Sequence, residues 1–86
     1  MFFLYILKSL KDGNLYIGYT SNLRKRIEEH NSGKSKATNP RKPFKLIYYE
    51  AYISEKDAKH REYSLKLRAR ALAQLKKRLE DTLRFA

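Results

Sequence analysis

Hydrophobic positions follow two different periods along the chain, and the change from one to the other marks the elements. Residues 2–7 are apolar or aromatic throughout, too short a run for a helix and suited to a buried strand. Asp12 and Gly13, within residues 8–14, signal a hairpin, and residues 15–19 return as a second strand. Side chains in a strand alternate faces, so the register decides what meets Tyr5. A loop centred near Leu10 and Lys11 sets Tyr5 opposite Tyr16, whereas a tight turn at Asp12 and Gly13 sets it opposite Thr20. In both registers Tyr5, Tyr16 and Gly18 share a face, and Gly18 leaves a gap in its side-chain layer.

A period near 3.6 takes over after an N-cap at Ser21 or Asn22 and predicts a helix over Leu23–Asn31, ended by Gly33. Its inward stripe is Leu23, Arg26, Ile27 and His30, while Arg24, Lys25, Glu28 and Glu29 face outward. Residues 33–43 are rich in breakers and read as a surface loop. A third strand spans Phe44–Tyr52, and Ser54 can cap the helix that opens at Glu55. Ala58, Glu62 and Leu65 form the inner stripe of that helix, with Asp57, Lys59 and Lys66 turned away. A further helix over residues 69–83 carries Ala69, Leu72, Leu75, Leu79 and Leu83 inward and Arg70, Lys77, Arg78 and Glu80 outward. Arg68 to Arg70 is either a kink between two helices or the middle of one. The predicted order is β-β-α-β-α-α, in one domain over residues 1–86.

Charge adds a constraint that the pattern does not. Lysine and arginine outnumber the acids 20 to 9, giving a net charge of +11 and a pI of about 10.0. A field of that sign draws polyanions: nucleic acid first, an acidic membrane surface second, an acidic protein third. No apolar run nears the roughly 20 residues that span a bilayer, and the start lacks the basic region and cleavage site of a signal peptide. The absence of cysteine excludes disulfides and thiolate zinc sites. These features fit a cytoplasmic protein with no membrane partner.

Charge on the inward stripes is the candidate chemistry. An arginine there is costly unless paired or lining a cleft, although Arg26 can also snorkel outward. Glu62 is open to a salt bridge with Arg26 or Arg61, or to a metal-binding or catalytic role. Tyr5 and Tyr16 read either as core aromatics with wet hydroxyls or as site residues. Taken together, Tyr5, Tyr16, Arg26, His30 and Glu62 suit phosphodiester hydrolysis. A lone carboxylate can hold Mg²⁺ when water and phosphate oxygens complete the octahedron. Arg26 offers a cationic fork to phosphate, Tyr16 can take a proton from water, and His30 can relay it or orient the phosphate. Lys34, Lys36, Arg41 and Lys42, in a loop without acids, read as a phosphate-contacting arm or as a solvated basic loop.

At these residues the sequence resembles the GIY-YIG nuclease family, whose two strand motifs here read Phe3-Leu4-Tyr5 and Tyr16-Ile17-Gly18. The resemblance continues through Thr20, Leu23, Arg26, His30 and Asn31 to residues 57–66, and is that of small stand-alone bacterial members related to the N-terminal domain of the C component of excinuclease ABC. It implies a three-stranded antiparallel sheet flanked by helices in an α+β fold. It also implies one Mg²⁺ (or Mn²⁺) on Glu62, with Tyr16 as base, Tyr5 orienting water or phosphate, and Arg26 stabilising phosphate. His30 matches a position that is histidine or tyrosine in relatives. The sequence departs from the family at Phe3, which stands where the motif has glycine, and in lacking a late asparagine, for which Gln74 is the nearest substitute. The expected activity is a Mg²⁺-dependent DNA endonuclease of repair or recombination. The alternative is a basic nucleic-acid-binding module of little activity. RNA as a second substrate, a homodimer, and a partner protein supplying specificity all remain open.

Overall fold

The computed structural model describes all residues, 1–86. Strands β1 (Phe2–Ser9), β2 (Leu15–Thr20) and β3 (Phe44–Tyr52) form one antiparallel sheet in the order β2-β1-β3. Helix α1 (Leu23–Asn31) follows β2, a 3₁₀ turn at Asn39–Arg41 precedes β3, and α2 (Glu55–Leu67), α3 (Ala69–Arg78) and α4 (Glu80–Phe85) complete the chain. Central β1 is covered on both faces, which explains its unbroken apolar run: Leu4, Tyr5, Ile6 and Leu7 are each at most 1% exposed.

The two faces have separate cores. Under α1 lie Tyr5, Leu7 and Phe44, joined by Tyr16, Leu23, Ile27 and Leu46. On the opposite face Leu4, Ile6 and Ile17 pack against Leu65 of α2 and Leu75 of α3. The extents of α1 and β3 match the sequence pattern. Asn22 is the N-cap, its side chain accepting from the Lys25 N–H at 3.1 Å. Gly33 ends α1 at φ +83°, where the Lys34 N–H reaches back to the Glu29 carbonyl at 3.0 Å.

Two details differ from the sequence reading, and the β1–β3 register adds one it did not address. Tyr5 lies opposite Gly18, and Leu7 opposite Tyr16, so neither expected register occurs. A broader loop over residues 10–14, closed by the Ser9 N–H to the Asn14 carbonyl at 2.9 Å, sets the register between the two. The β1–β3 pairing also shifts between Ile6 and Leu7, so that Tyr48 opposes Ile6 but Leu46 opposes Leu7, one residue more on β3 than on β1. Finally, the helix expected over residues 69–83 is two helices that meet at Leu79. Lys76, Lys77 and Arg78 sit in the last turn of α3, and Glu80 and Asp81 in the first turn of α4, each charge at the helix end that favours it. The break at Arg68, extended at φ −116° and ψ 102°, separates α2 from α3. No helix is long and apolar enough to cross a membrane.

Candidate active site

Four elements supply the expected side chains: β1, β2 and α1 bring Tyr5, Tyr16, Arg26 and His30 together on the face that α1 covers, and α2, packed on the opposite face, supplies Glu62. β1 contributes Tyr5, whose ring lies over Gly18: a Cβ built at position 18 would stand 2.5 Å from the phenol oxygen. β2 contributes Tyr16, its ring centroid 6.4 Å from that of Tyr5. α1 contributes Arg26 and His30, one turn apart on its inward stripe. The His30 Nε2 is 2.9 Å from the Tyr5 hydroxyl, and its ring meets Tyr16 edge-on at 5.0 Å between centroids. The 33–43 loop adds Thr38, whose Oγ1 is 2.7 Å from the other nitrogen of His30.

Glu62 comes from α2, on the stripe between buried Ala58 and Leu65. Its expected bridge to Arg26 or Arg61 is not formed. Lys66, one turn along, holds its carboxylate at 3.2 Å and places its own Nζ 5.8 Å from the centre of the Tyr16 ring. Arg26 instead pairs with Glu29 at 3.1 Å. Arg61 turns to the other face, where Glu50 accepts from its Nε at 3.0 Å and its Nη2 at 3.1 Å, and from the hydroxyls of Tyr48 and Tyr52.

Burial sets the charge states. Desolvation pushes the Tyr5 phenol up to about 12, with the Arg26 guanidinium beside it offsetting part of the rise. Tyr5 therefore remains a neutral phenol at ordinary pH. His30 is driven down to about 4, first by burial and then by the Arg26 charge, so its imidazole is neutral. Partial burial works against the Arg26 charge, but hydrogen bonding to Tyr5 and Glu29 outweighs it and raises its pKa further.

The acidic inventory bears on a metal. No group of three or more His, Cys, Asp or Glu side chains is placed to hold an ion. Glu62 is alone, a hard oxygen donor whose side chain is 21% exposed, within range to bias the titration of Tyr5. That donor set fits a largely hydrated Mg²⁺ or Mn²⁺ shared with a substrate phosphate, and it does not fit an all-protein cage.

The basic loop divides into two parts. Arg41 is built into the fold: it donates to Asp12 at 2.7 Å and to the Leu15 carbonyl at 3.4 Å, and stacks 5.6 Å from the Phe44 ring centre. Its guanidinium draws the Asp12 carboxyl down to about 2. Lys34, Lys36 and Lys42 are exposed. Thr38 and Lys66 are neighbours of the site that sequence reasoning missed. Lys66 was legible as an i,i+4 partner of Glu62, whereas nothing in the pattern of an irregular loop marks Thr38.

Residues 1–78 match the family model described as the GIY-YIG catalytic domain, so the chain belongs to that family and, with it, to a nuclease superfamily. Among individual proteins it is similar to a UPF0213 protein of Clostridium perfringens, 48% identical over 67 residues that cover 77% of this chain and 71% of the relative. A UPF0213 protein of Staphylococcus haemolyticus is 46% identical over 65 residues, covering 74% and 78%. The solution NMR structure of a UPF0213 protein from Bacillus halodurans superposes with a TM-score of 0.53 at 42% identity, over 87% of this chain and 82% of that one.

Proposed function

We propose that this protein is a divalent-metal-dependent endonuclease that hydrolyses DNA phosphodiester bonds, in the service of repair or recombination. The observation that carries the reading is the convergence of Tyr16, Arg26, His30 and Glu62 around the Tyr5 phenol, from four separate elements of a chain with net charge +11. The molecule's cavities lie elsewhere; the largest, of about 490 Å³, is lined by Phe3, Leu23, Arg24, Ile27, Glu28, Leu46 and Tyr49. A site outside any cavity, its partly exposed edge formed by Arg26 and Glu62, suits a polymer backbone better than a small molecule.

Glu62 is the residue that would hold Mg²⁺ or Mn²⁺, and a bound ion there would acidify water and neutralise charge developing on phosphorus. Arg26, charged at every ordinary pH, offers its guanidinium to the non-bridging phosphate oxygens. Tyr16, the less buried phenol, is the group left to take the proton of the attacking water. Tyr5 is held too firmly protonated for that task and serves to orient. His30, fully buried, hydrogen-bonds toward the reacting groups through Tyr5 and packs edge-on against Tyr16. Lys34, Lys36 and Lys42 contact the DNA backbone without reading sequence, leaving target choice to DNA shape, a second copy or a partner protein.

One observation favours the alternative of a DNA-binding module of little activity: Lys66 already pairs with the lone carboxylate. Incubation with single-stranded, nicked, flapped, branched and duplex DNA, with Mg²⁺, Mn²⁺ or chelator, separates the two. The nuclease reading predicts cleavage of at least one structure that the chelator abolishes. Tight binding across the panel without cleavage in either metal contradicts it.

A further inference from the structure

Thr38 is fully buried although it lies in the irregular 33–43 loop, and it is the far end of a hydrogen-bonded chain that begins at the site. The chain runs from the Tyr5 hydroxyl to His30 Nε2 at 2.9 Å, and from His30 Nδ1 to Thr38 Oγ1 at 2.7 Å. A neutral imidazole has one donor and one acceptor nitrogen, so the two links must run in the same direction. The partners at the two ends determine which direction that is.

At the outer end the Arg26 guanidinium stands near enough to the Tyr5 hydroxyl to hold its pKa down against burial. Arginine has only donors, so it can approach the phenol oxygen only at a lone pair, and the phenol proton is left for Nε2. At the inner end Thr38 Oγ1 donates to the Ser35 carbonyl at 3.5 Å. A carbonyl has no proton to give, so a Thr38 hydroxyl turned toward it leaves its oxygen to accept from Nδ1–H. Both ends favour the same tautomer, with the proton on Nδ1 and Nε2 bare.

We propose that Thr38 is a positioning residue: by accepting from His30 Nδ1–H it sets the imidazole tautomer that takes the Tyr5 proton, so that Tyr5 presents only lone pairs to the site. Tyr5 then accepts hydrogen bonds, from Arg26 and from the attacking water, and does not donate to a phosphate oxygen. Because Thr38 shares its loop with Lys34, Lys36 and Lys42, the basic arm and the phenol are joined through one buried chain. The role given to Tyr5 rests on the nuclease reading, whereas the tautomer does not.

The test is a long-range ¹H–¹⁵N correlation spectrum of the His30 ring at neutral pH, in the native protein and in Thr38→Val and Thr38→Ser, with single-turnover cleavage and DNA affinity measured alongside. The native ring should show a protonated Nδ1 and an unprotonated Nε2. Thr38→Val, which keeps the shape and loses the acceptor, should move the ring toward the Nε2–H tautomer and slow cleavage about tenfold, one hydrogen bond's worth, at unchanged affinity. Thr38→Ser should restore both. An Nε2–H tautomer in the native protein overturns the proposal, as does Thr38→Val with native tautomer and native rate. If Thr38→Val does not fold, the native and Thr38→Ser rings decide between the same two outcomes. If the native protein cuts no DNA, the nuclease reading falls while the tautomer still decides this one.

Discussion

An added Cβ at Gly18 would lie 2.5 Å from the Tyr5 hydroxyl oxygen and 2.7 Å from its Cζ, both closer than packed atoms tolerate. Gly18→Ala should therefore push the phenol off His30 and cost about 1–3 kcal/mol, measurable by urea unfolding, with activity lost in parallel. His30 carries a second prediction at this scale. Its folded-state pKa of about 4 lies below the ordinary 6.5, so between those values the unfolded chain takes a proton that the folded one refuses. Stability from this residue is complete above pH 6.5 and declines as the pH falls toward 4, by on the order of 3 kcal/mol in all. Unfolding free energies from pH 7 to 4 should show a shallower decline in His30→Gln. The place of Arg26 and His30 along an inward stripe was legible in the sequence because helical spacing alone brings them together. Thr38 was not, since its burial depends on where a loop of no fixed period folds back.

Helix α2 is held to the sheet by the fork of Arg61 on Glu50, and the residue beside Arg61 is Glu62. Burial alone would raise the Glu50 pKa, but hydrogen bonds from Arg61, Tyr48 and Tyr52 together lower it, so the carboxylate is charged and depends on its donors. Arg61→Ala removes two of those donor groups and should destabilise the fold by about 1–3 kcal/mol in urea titrations. The limits of α1 and β3 could be read from the sequence because capping residues, Gly33 and Pro43 bound them. The register of β1 on β2 could not, because loop length was ambiguous by one residue at either end. The division of α3 from α4 was also missed, since leucines at helical spacing continue past Leu79 while the charges reverse sign there.

The whole molecule carries its excess positive charge on a small frame, with a Cα radius of gyration of 12.5 Å. Counterion release then predicts that DNA affinity falls steeply with salt. Replacing Lys34, Lys36 and Lys42 by alanine should lessen the slope of log K against log salt, by about 0.9 for each phosphate no longer neutralised, and leave the urea midpoint unchanged. Arg41→Ala should do the reverse, lowering the midpoint because that side chain ties Asp12, the Leu15 carbonyl and Phe44 together. Net charge made nucleic acid the first partner to consider, but only the folded arrangement separates a basic residue that braces a loop from those that face solvent. The central claim is that Glu62 and Arg26 serve hydrolysis and not the fold. The most direct test is single-turnover cleavage of the preferred DNA in Mg²⁺ by the native protein, Glu62→Gln and Arg26→Ala, with DNA affinity and urea midpoint measured on the same samples. The account predicts that both variants fold and bind DNA while cleavage drops by at least about 100-fold, as for loss of a charge-stabilising group. Cleavage at the native rate by either folded variant would contradict it.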